Sequence, residues 1–322
     1  MKAFVYVSPG IAEVTDLPDP EIGPGEVLVR PKRVGICHSD FDLFNGRYIL
    51  PLHYPIVPGH EWMGEVALVG TDVTRFSVGD RVVGECAVSD DQHFGFTING
   101  ALSELARVDA SWLHKVPDSM SDSVGALIEP FTVGYAATDK IDASDDVVIF
   151  GGGPIGLCAL VSARAKGGRV FLVELDPNRR KLGLELGATA AIDPFDTNVV
   201  EKVLSLTEGR GASRVIEATG RPNVMAQTLE VAAFGAYITN VGINVSDTGE
   251  ALLGLIVAKN LTIRGQVGSA GVWGNAIRFM ERLDTDLSQL VSQEFALDQA
   301  NEALSAAGAR EKNVKVHIRP QG

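Results

Sequence analysis

The stretch Val147-Val148-Ile149-Phe150-Gly151-Gly152-Gly153-Pro154-Ile155-Gly156 decides the fold. Its first four residues read as a buried strand. Three spaced glycines follow, and Pro154 opens a helical pattern that runs to Ala165. Gly151 allows the tight turn. Gly153 lets the backbone approach a pyrophosphate, whose charge the helix N-terminus favours, and Gly156 lets the helix pack close to the sheet. With Pro154 and Ile155 these glycines form a candidate phosphate-binding turn. An acid follows at the end of the next strand. Glu174, in Val170-Phe-Leu-Val-Glu174-Leu-Asp176, lies 18 residues after Gly156. A carboxylate there can accept from both ribose hydroxyls and repels a 2′-phosphate, which predicts NAD over NADP. Asp176 is the rival acid, and Arg179 and Arg180 are the cations that would suit NADP.

Outward from this turn, strands are expected at Val147–Phe150, Val170–Glu174, Ala190–Ile192, Arg214–Glu217, Ala236–Val241 and Leu261–Arg264. Helical patterns fill the gaps, at Pro154–Ala165, Pro177–Leu186, Val199–Thr207 and Arg221–Ala233. Six strands with crossover helices make a doubly wound parallel sheet, so the fold class is α/β. Two further turns, Val241-Gly242-Ile243 and Val267-Gly268, should border the same crevice.

The texture before residue 120 differs. Short runs of Val, Ile, Phe and Tyr alternate with polar residues and are punctuated by Pro18-Asp-Pro20 and Gly23-Pro-Gly25. Strand candidates are Val27–Pro31, Gly64–Val69 and Asp80–Val83, which suggests a compact β barrel or sandwich. Ser121 begins a helix expected to continue past Pro130 to Thr138. After Gly265 come helices around Asn275–Leu283 and Leu297–Ala307 and a last strand at Val314–Ile318. That tail is too short for a domain and is expected to return to the β domain.

The chain has 322 residues, more than one hydrophobic core usually serves, so two domains are expected. The formal net charge of −13 argues against nucleic acid or an anionic membrane as partner. Cys37, Cys86 and Cys158 are too few and too scattered for a disulfide framework, which fits a reducing cytoplasm. Met1-Lys-Ala-Phe-Val-Tyr-Val7 enters a strand at once, so no signal peptide is expected, and no apolar run is long enough to span a bilayer.

Chemistry concentrates between Gly35 and Glu61. Gly35-Ile-Cys37-His38-Ser39-Asp40 and Gly59-His60-Glu61 place a thiol, an imidazole and a carboxylate within one short span. These are donors that zinc takes, spaced too far apart for a zinc finger and suited to a site assembled from two loops. A buried cysteine and a structural histidine are the bland alternative.

A Cys-His-Ser-Asp loop, a Gly-His-Glu and a Gly-Gly-Gly-Pro-Ile-Gly in this order resemble the zinc-dependent medium-chain dehydrogenases, within them the polyol (sorbitol dehydrogenase-like) branch. The resemblance spans essentially the whole chain. It implies a GroES-like β catalytic domain over residues 1–120, completed by 269–322, and an inserted six-stranded Rossmann domain over 121–268, with the active site in the cleft. It implies zinc ligation by Cys37, His60 and Glu61. Glu129, in Ile128-Glu-Pro-Phe-Thr-Val-Gly134, would bind zinc directly or through its water. It further implies that Asp40 orients the ligand histidine, that Ser39 takes the substrate proton, and that His38 reaches the cofactor pyrophosphate. Glu174 and Arg179 match the adenosine-ribose contacts, and a homodimer or homotetramer is implied, with Ala236–Val241 and Leu261–Arg264 as candidate pairing strands.

Departures from the family pattern matter too. The region from Gly84 to Gly100 holds only Cys86 where most members carry four cysteines, so one zinc per chain is expected. Asp42 replaces a relay histidine, leaving Asp42, His53 or water as the proton exit, and a substrate-binding arginine falls at Gly268. The polar groups Asp42, Tyr48, His53 and Glu129 favour a polyol, sugar or (amino)cyclitol as substrate. Rival readings are a simple alcohol, aldehyde or amino-alcohol dehydrogenase, a zinc-free quinone reductase, and a catalytically silent NAD-binding protein.

Overall fold

The computed structural model describes residues 1–47, 51–87, 89, 92–269, 271–309 and 311–321. The chain divides into two compact units, Met1–Glu129 with Ala270–Gly322, and Pro130–Ser269.

The first unit opens with a hairpin of β1 (Lys2–Ser8) and β2 (Ile11–Asp16). Then come β3 (Glu26–Gly35), a short helix α1 (His38–Phe44), β4 (Glu61–Val69), β5 (Arg81–Gly84), β6 (Ala106–Asp109), β7 (Leu113–Lys115) and α2 (Asp122–Ala126). Strands β3 and β4 are antiparallel, with Gly35 opposite Glu61. A Cβ at Gly35 would collide with the Glu61 carboxylate, so the missing side chain makes the room that carboxylate occupies. Phe4, Tyr6, Trp62, Phe94 and Phe96 are all buried in one core.

Helix α2 lies against β3 and β4, and a Cβ on its Gly125 would sit 2.7 Å from Met63 Cγ. Ser121 caps it by accepting from the Val124 amide. The single helix expected from Ser121 to Thr138 is instead two. α2 ends at Ala126, and α3 (Ile128–Ala137) starts afresh with Pro130 in its first turn, where the amide proline lacks would have no helical partner. Residues 121–129, expected with the second domain, accordingly cluster with the first unit.

The second unit contains β8 (Asp146–Phe150), α4 (Pro154–Ala165), β9 (Arg169–Val173), α5 (Pro177–Glu185), β10 (Ala190–Ile192) and α6 (Val199–Leu206). It continues through β11 (Ala212–Glu217), α7 (Pro222–Val231), β12 (Ala232–Asn240), α8 (Gly254–Ala258) and β13 (Thr262–Gly265). All six strands are parallel, in the order β10-β9-β8-β11-β12-β13. This is a doubly wound sheet with its strand order reversing between β8 and β11, the place where such sheets bind ligands. Val147 to Phe150 are all buried, as a central parallel strand covered on both faces requires. Lys259 donates to the carbonyls of Leu229, Glu230 and Ala232, which closes the C-terminus of α7. The short helix α8 was not expected from the sequence.

The chain then rejoins the first unit as α9 (Trp273–Glu281), β14 (Val291–Ala296), α10 (Ala300–Gly308) and β15 (Lys315–Arg319). β15 pairs antiparallel with β3, placing His317 opposite Gly35, and β14 adds to it in parallel. The tail's return to the β unit is as expected, but β14 was not. Its residues are largely exposed at the edge of a seven-stranded sheet, so its sequence lacks the apolar run of a buried strand.

The Gly156 prediction follows directly from packing. A Cβ there would collide with the carbonyl oxygen of Gly151, which is backbone and cannot swing aside. Gly156→Ala should lower stability by about 1–3 kcal/mol or more in urea denaturation.

Candidate metal and cofactor sites

Cys37 ends the turn leaving β3, in an extended conformation (φ −96°, ψ 163°), and stands at the start of α1. His60 and Glu61 lie at the start of β4, beside that turn because Gly35 and Glu61 are paired. One ligand atom from each of Cys37, His60 and Glu61 lies within 4.8 Å of the others, the one such group among the described residues. His60 and Glu61 are buried and Cys37 is half-buried. Three donors of sulfur, nitrogen and oxygen type suit zinc, and three protein ligands leave a coordination position open.

Asp40 supports this arrangement. Its Oδ2 accepts from the Cys37 amide at 2.7 Å, and its Oδ1 faces His60 Nδ1 at 3.6 Å. Both facing atoms are buried and reach no ordinary hydrogen-bond partner. With Nδ1 turned to the carboxylate, Nε2 is the nitrogen left for a metal. Burial opposes charge on the imidazole, but the Asp40 carboxylate outweighs it and raises the His60 pKa well above its ordinary value.

In the second unit, Gly151 has φ +99°, and its turn rests on Ala218 and Thr219. A Cβ on Gly153 would meet only Arg179 Nη1, at 3.9 Å, so the backbone face there is open to a ligand. The Glu174 carboxylate accepts from the Gly152 amide at 2.5 Å and from the Asp176 amide at 2.8 Å. Asp176, the rival acid, instead caps α5 by accepting from the amides of Asn178 and Arg179. Arg180 pairs with Asp193 at 2.6 Å and donates to the carbonyls of Glu174 and Leu175.

One residue there escaped sequence reasoning. Glu217, fully buried at the end of β11, accepts from the Thr219 amide and hydroxyl and from the Gly220 amide. It thereby shapes the turn on which Gly151 rests. Gly242 packs on the same turn, since a Cβ there would collide with the Gly220 amide. The signal was available, as an acid between an apolar strand and Thr-Gly. Val241 is buried, while Ile243 and Val267 are exposed and Gly268 has φ +64°. A cavity of about 470 Å³ opens beside α7, lined by Arg221, Pro222, Asn223, Ser246, Asp247 and Thr248.

Residues 23–118 match the family model of the alcohol dehydrogenase GroES-like domain, and residues 154–282 that of the zinc-binding dehydrogenases. Sorbitol dehydrogenase of Bacillus subtilis is 30% identical over 331 residues, covering 95% of this chain and 93% of that protein. The chain belongs to the zinc-binding alcohol dehydrogenase family. Within it, the polyol-dehydrogenase-like branch fits best. The crystal structure of 2R,3R-butanediol dehydrogenase from Bacillus subtilis superimposes with a TM-score of 0.93 at 30% identity, covering 99% of each chain. A zinc-binding dehydrogenase of Sinorhizobium meliloti 1021, solved bound to NADP, gives 0.91 at 27% identity, again over 99% of each chain.

Against this zinc-binding dehydrogenase framework, the other expected residues fall as follows. Ser39 is half-buried in the first turn of α1, with exposed His38 before it, its ring 6.1 Å from that of Phe41. Asp42 is half-buried on the same helix, His53 is exposed, and Tyr48 lies outside the described residues. Glu129 stands in the first turn of α3 and is not one of the three clustered donors. Burial, with Glu61 and Asp40 adding to it, pushes its carboxyl up to about 7 against the opposing pull of His60. The Cys86 thiol donates to the Phe94 carbonyl at 3.6 Å, and burial pushes its pKa up to about 12. Cys158 is buried in α4.

Lys315 is the main residue the sequence did not disclose. Its ammonium, 3% exposed, donates to both Glu61 oxygens, at 2.8 and 2.5 Å, and to the Ile36 carbonyl at 3.1 Å. Burial works against that charge, but Glu61 overrides it and raises the lysine pKa. His317, two residues on and fully buried, is pushed down to about 3 by burial and by Lys315 and is therefore neutral. In Lys315-Val-His-Ile-Arg319 the alternation reads as polar residues facing water. Instead, Lys315 is buried against Glu61, and α2 reaches His317, its Ser123 hydroxyl lying 3.4 Å from His317 Nδ1.

Removing one partner of a buried pair leaves the other charge uncompensated. Lys315→Met should therefore cost about 3–5 kcal/mol in urea denaturation. The double variant with Glu61→Gln should regain most of that loss.

Proposed function

We propose that this chain oxidises a secondary alcohol of a polyol, sugar or (amino)cyclitol to the ketone, reversibly, with one catalytic zinc and NAD. The observation that carries the reading is the buried Cys37–His60–Glu61 cluster in a chain that also bears a complete dinucleotide turn. Zinc, when bound, supplies Lewis acidity that lowers the pKa of an alcohol hydroxyl, and NAD accepts the hydride.

The chain's own residues would divide the remaining work. Cys37, His60 and Glu61 would hold the metal, and Glu129 would bind it directly or through its water. Asp40 orients His60. The hydroxyl proton passes to Ser39 Oγ, which hands its own on, with Asp42, His53 or water as the next stop. Glu174 accepts from the adenosine ribose, and its negative charge disfavours a 2′-phosphate. The engagement of Arg180 with Asp193 supports NAD further, because that cation is already paired. His38, Arg179, Val241, Gly242, Ile243, Val267 and Gly268 complete the cofactor contacts. Sorbitol and 2,3-butanediol both carry adjacent hydroxyls, which supports a polyhydroxylated substrate.

Wild type and Cys37→Ala should be screened against polyols, sugars, cyclitols and simple alcohols with NAD and with NADP. Wild type should contain one zinc and form NADH on a polyol or cyclitol. Cys37→Ala should lose zinc and at least about 100-fold in kcat/KM. Full activity in metal-free protein would overturn the mechanism, and NAD binding without turnover on any alcohol would favour a silent NAD-binding protein.

The same reading includes a homodimer or homotetramer. β13 is an outer strand of its sheet, and Phe234, Leu252, Leu253 and Val257 are all more than 60% exposed in the same unit. A sheet edge beside apolar surface favours pairing with a second copy. Light scattering should give twice or four times the 34.2 kDa chain mass, and Val257→Asp should shift it toward the monomer.

A further inference from the structure

Residues 93–100 take no part in the chemistry assigned above, yet they are built against the metal-ligating turn. Phe94 and Phe96, two residues apart, meet Trp62 and His60, also two residues apart. The Phe96 ring centroid lies 4.5 Å from that of His60 at an interplanar angle of 42°, and Phe94 lies 5.8 Å from Trp62. Both phenylalanines are 1% exposed.

The backbone repeats this pairing. The Gly100, Leu102 and Ala101 amides donate to the carbonyls of Val57, Pro58 and Gly59, and Asn99 Oδ1 accepts from the Val57 amide. Gly95, at φ +81°, allows the close approach, since a Cβ there would lie 3.0 Å from the Gly59 carbonyl carbon.

We infer that Phe96 is a positioning residue for the His60 imidazole, fixing the ring plane in which its nitrogen meets the metal. Two contacts of the imidazole bear on its orientation. At 3.6 Å the Asp40 contact is longer than an ordinary hydrogen bond, so it sets the direction of Nδ1 but leaves the tilt of the ring about that direction to its neighbours. The buried, tilted Phe96 ring at 4.5 Å restricts that tilt and helps keep water from the ligand. The inference rests on the zinc reading of Cys37, His60 and Glu61.

Zinc affinity measured by competition with a chromogenic chelator, and the visible spectrum of the cobalt-substituted protein, test it without any assay of turnover. Phe96→Leu retains apolar volume but loses the ring face, and Phe96→Met serves if that variant fails to fold. Either should weaken zinc roughly tenfold and shift the cobalt bands, while Phe94→Leu, which loses the contact to Trp62, should stay within about twofold of wild type. Unchanged affinity and spectrum in a folded Phe96 variant would overturn the inference alone. So would an equal loss in Phe94→Leu, which would mark a purely structural effect. Wild-type protein that takes up no zinc would overturn the metal reading as well.

Discussion

A carboxylate withdrawn from water must be compensated, and the architecture around Glu61 is organised by that requirement. The compensation has two parts. Gly35, directly across the strand pair, has no side chain and so leaves the space the carboxylate fills. Lys315, from the last strand, brings the opposite charge and bonds both oxygens. Either part alone would fail. Space without the ammonium strands a buried charge, and the ammonium without space cannot be reached. The turn carrying Cys37 and the strand start carrying His60 are joined through the same pairing. The three-donor cluster is thus a by-product of how β3, β4 and β15 line up.

The second unit meets a different constraint, one of backbone rather than charge. Its three turns at the carboxyl ends of β8, β11 and β12 crowd together until glycine is required in each. Gly151 rests on Ala218 and Thr219, and Gly242 on Gly220. Glu217 secures the middle turn by spending its carboxylate on local amides, as Glu174 does for Gly152 and Asp176. Two buried or half-buried acids therefore define the shape of these turns. Both carboxylates accept from backbone amides, and the backbone face at Gly153 is left open.

The six parallel strands were legible because each is a short apolar run bounded by a glycine turn or a helical pattern, and the structure moves their ends by only a few residues. The glycine turn and the Cys37, His60 and Glu61 set were legible for a similar reason, since residue type and spacing carry the chemistry. What escaped shares one feature. Residues 291–296 form a strand with little apolar content because it sits at a sheet edge. Residues 254–258 form a helix whose buried face is minimal. Lys315 and His317 alternate with core residues as solvent-facing side chains would, and are nonetheless buried, Lys315 against Glu61 and His317 beside Ser123.

By itself the sequence settled which chemical groups are present, where the chain turns, and which segments prefer strand or helix. These are properties of a few neighbouring residues and their backbone preferences. Only the tertiary structure decided which groups lose their water and what compensates them: Glu61 with Lys315, 254 residues away, His60 between Asp40 and Phe96, and Glu217 within its own turn. The reason is physical. Desolvation and charge pairing depend on what packs against a side chain, and in a folded chain that neighbour is seldom near in sequence.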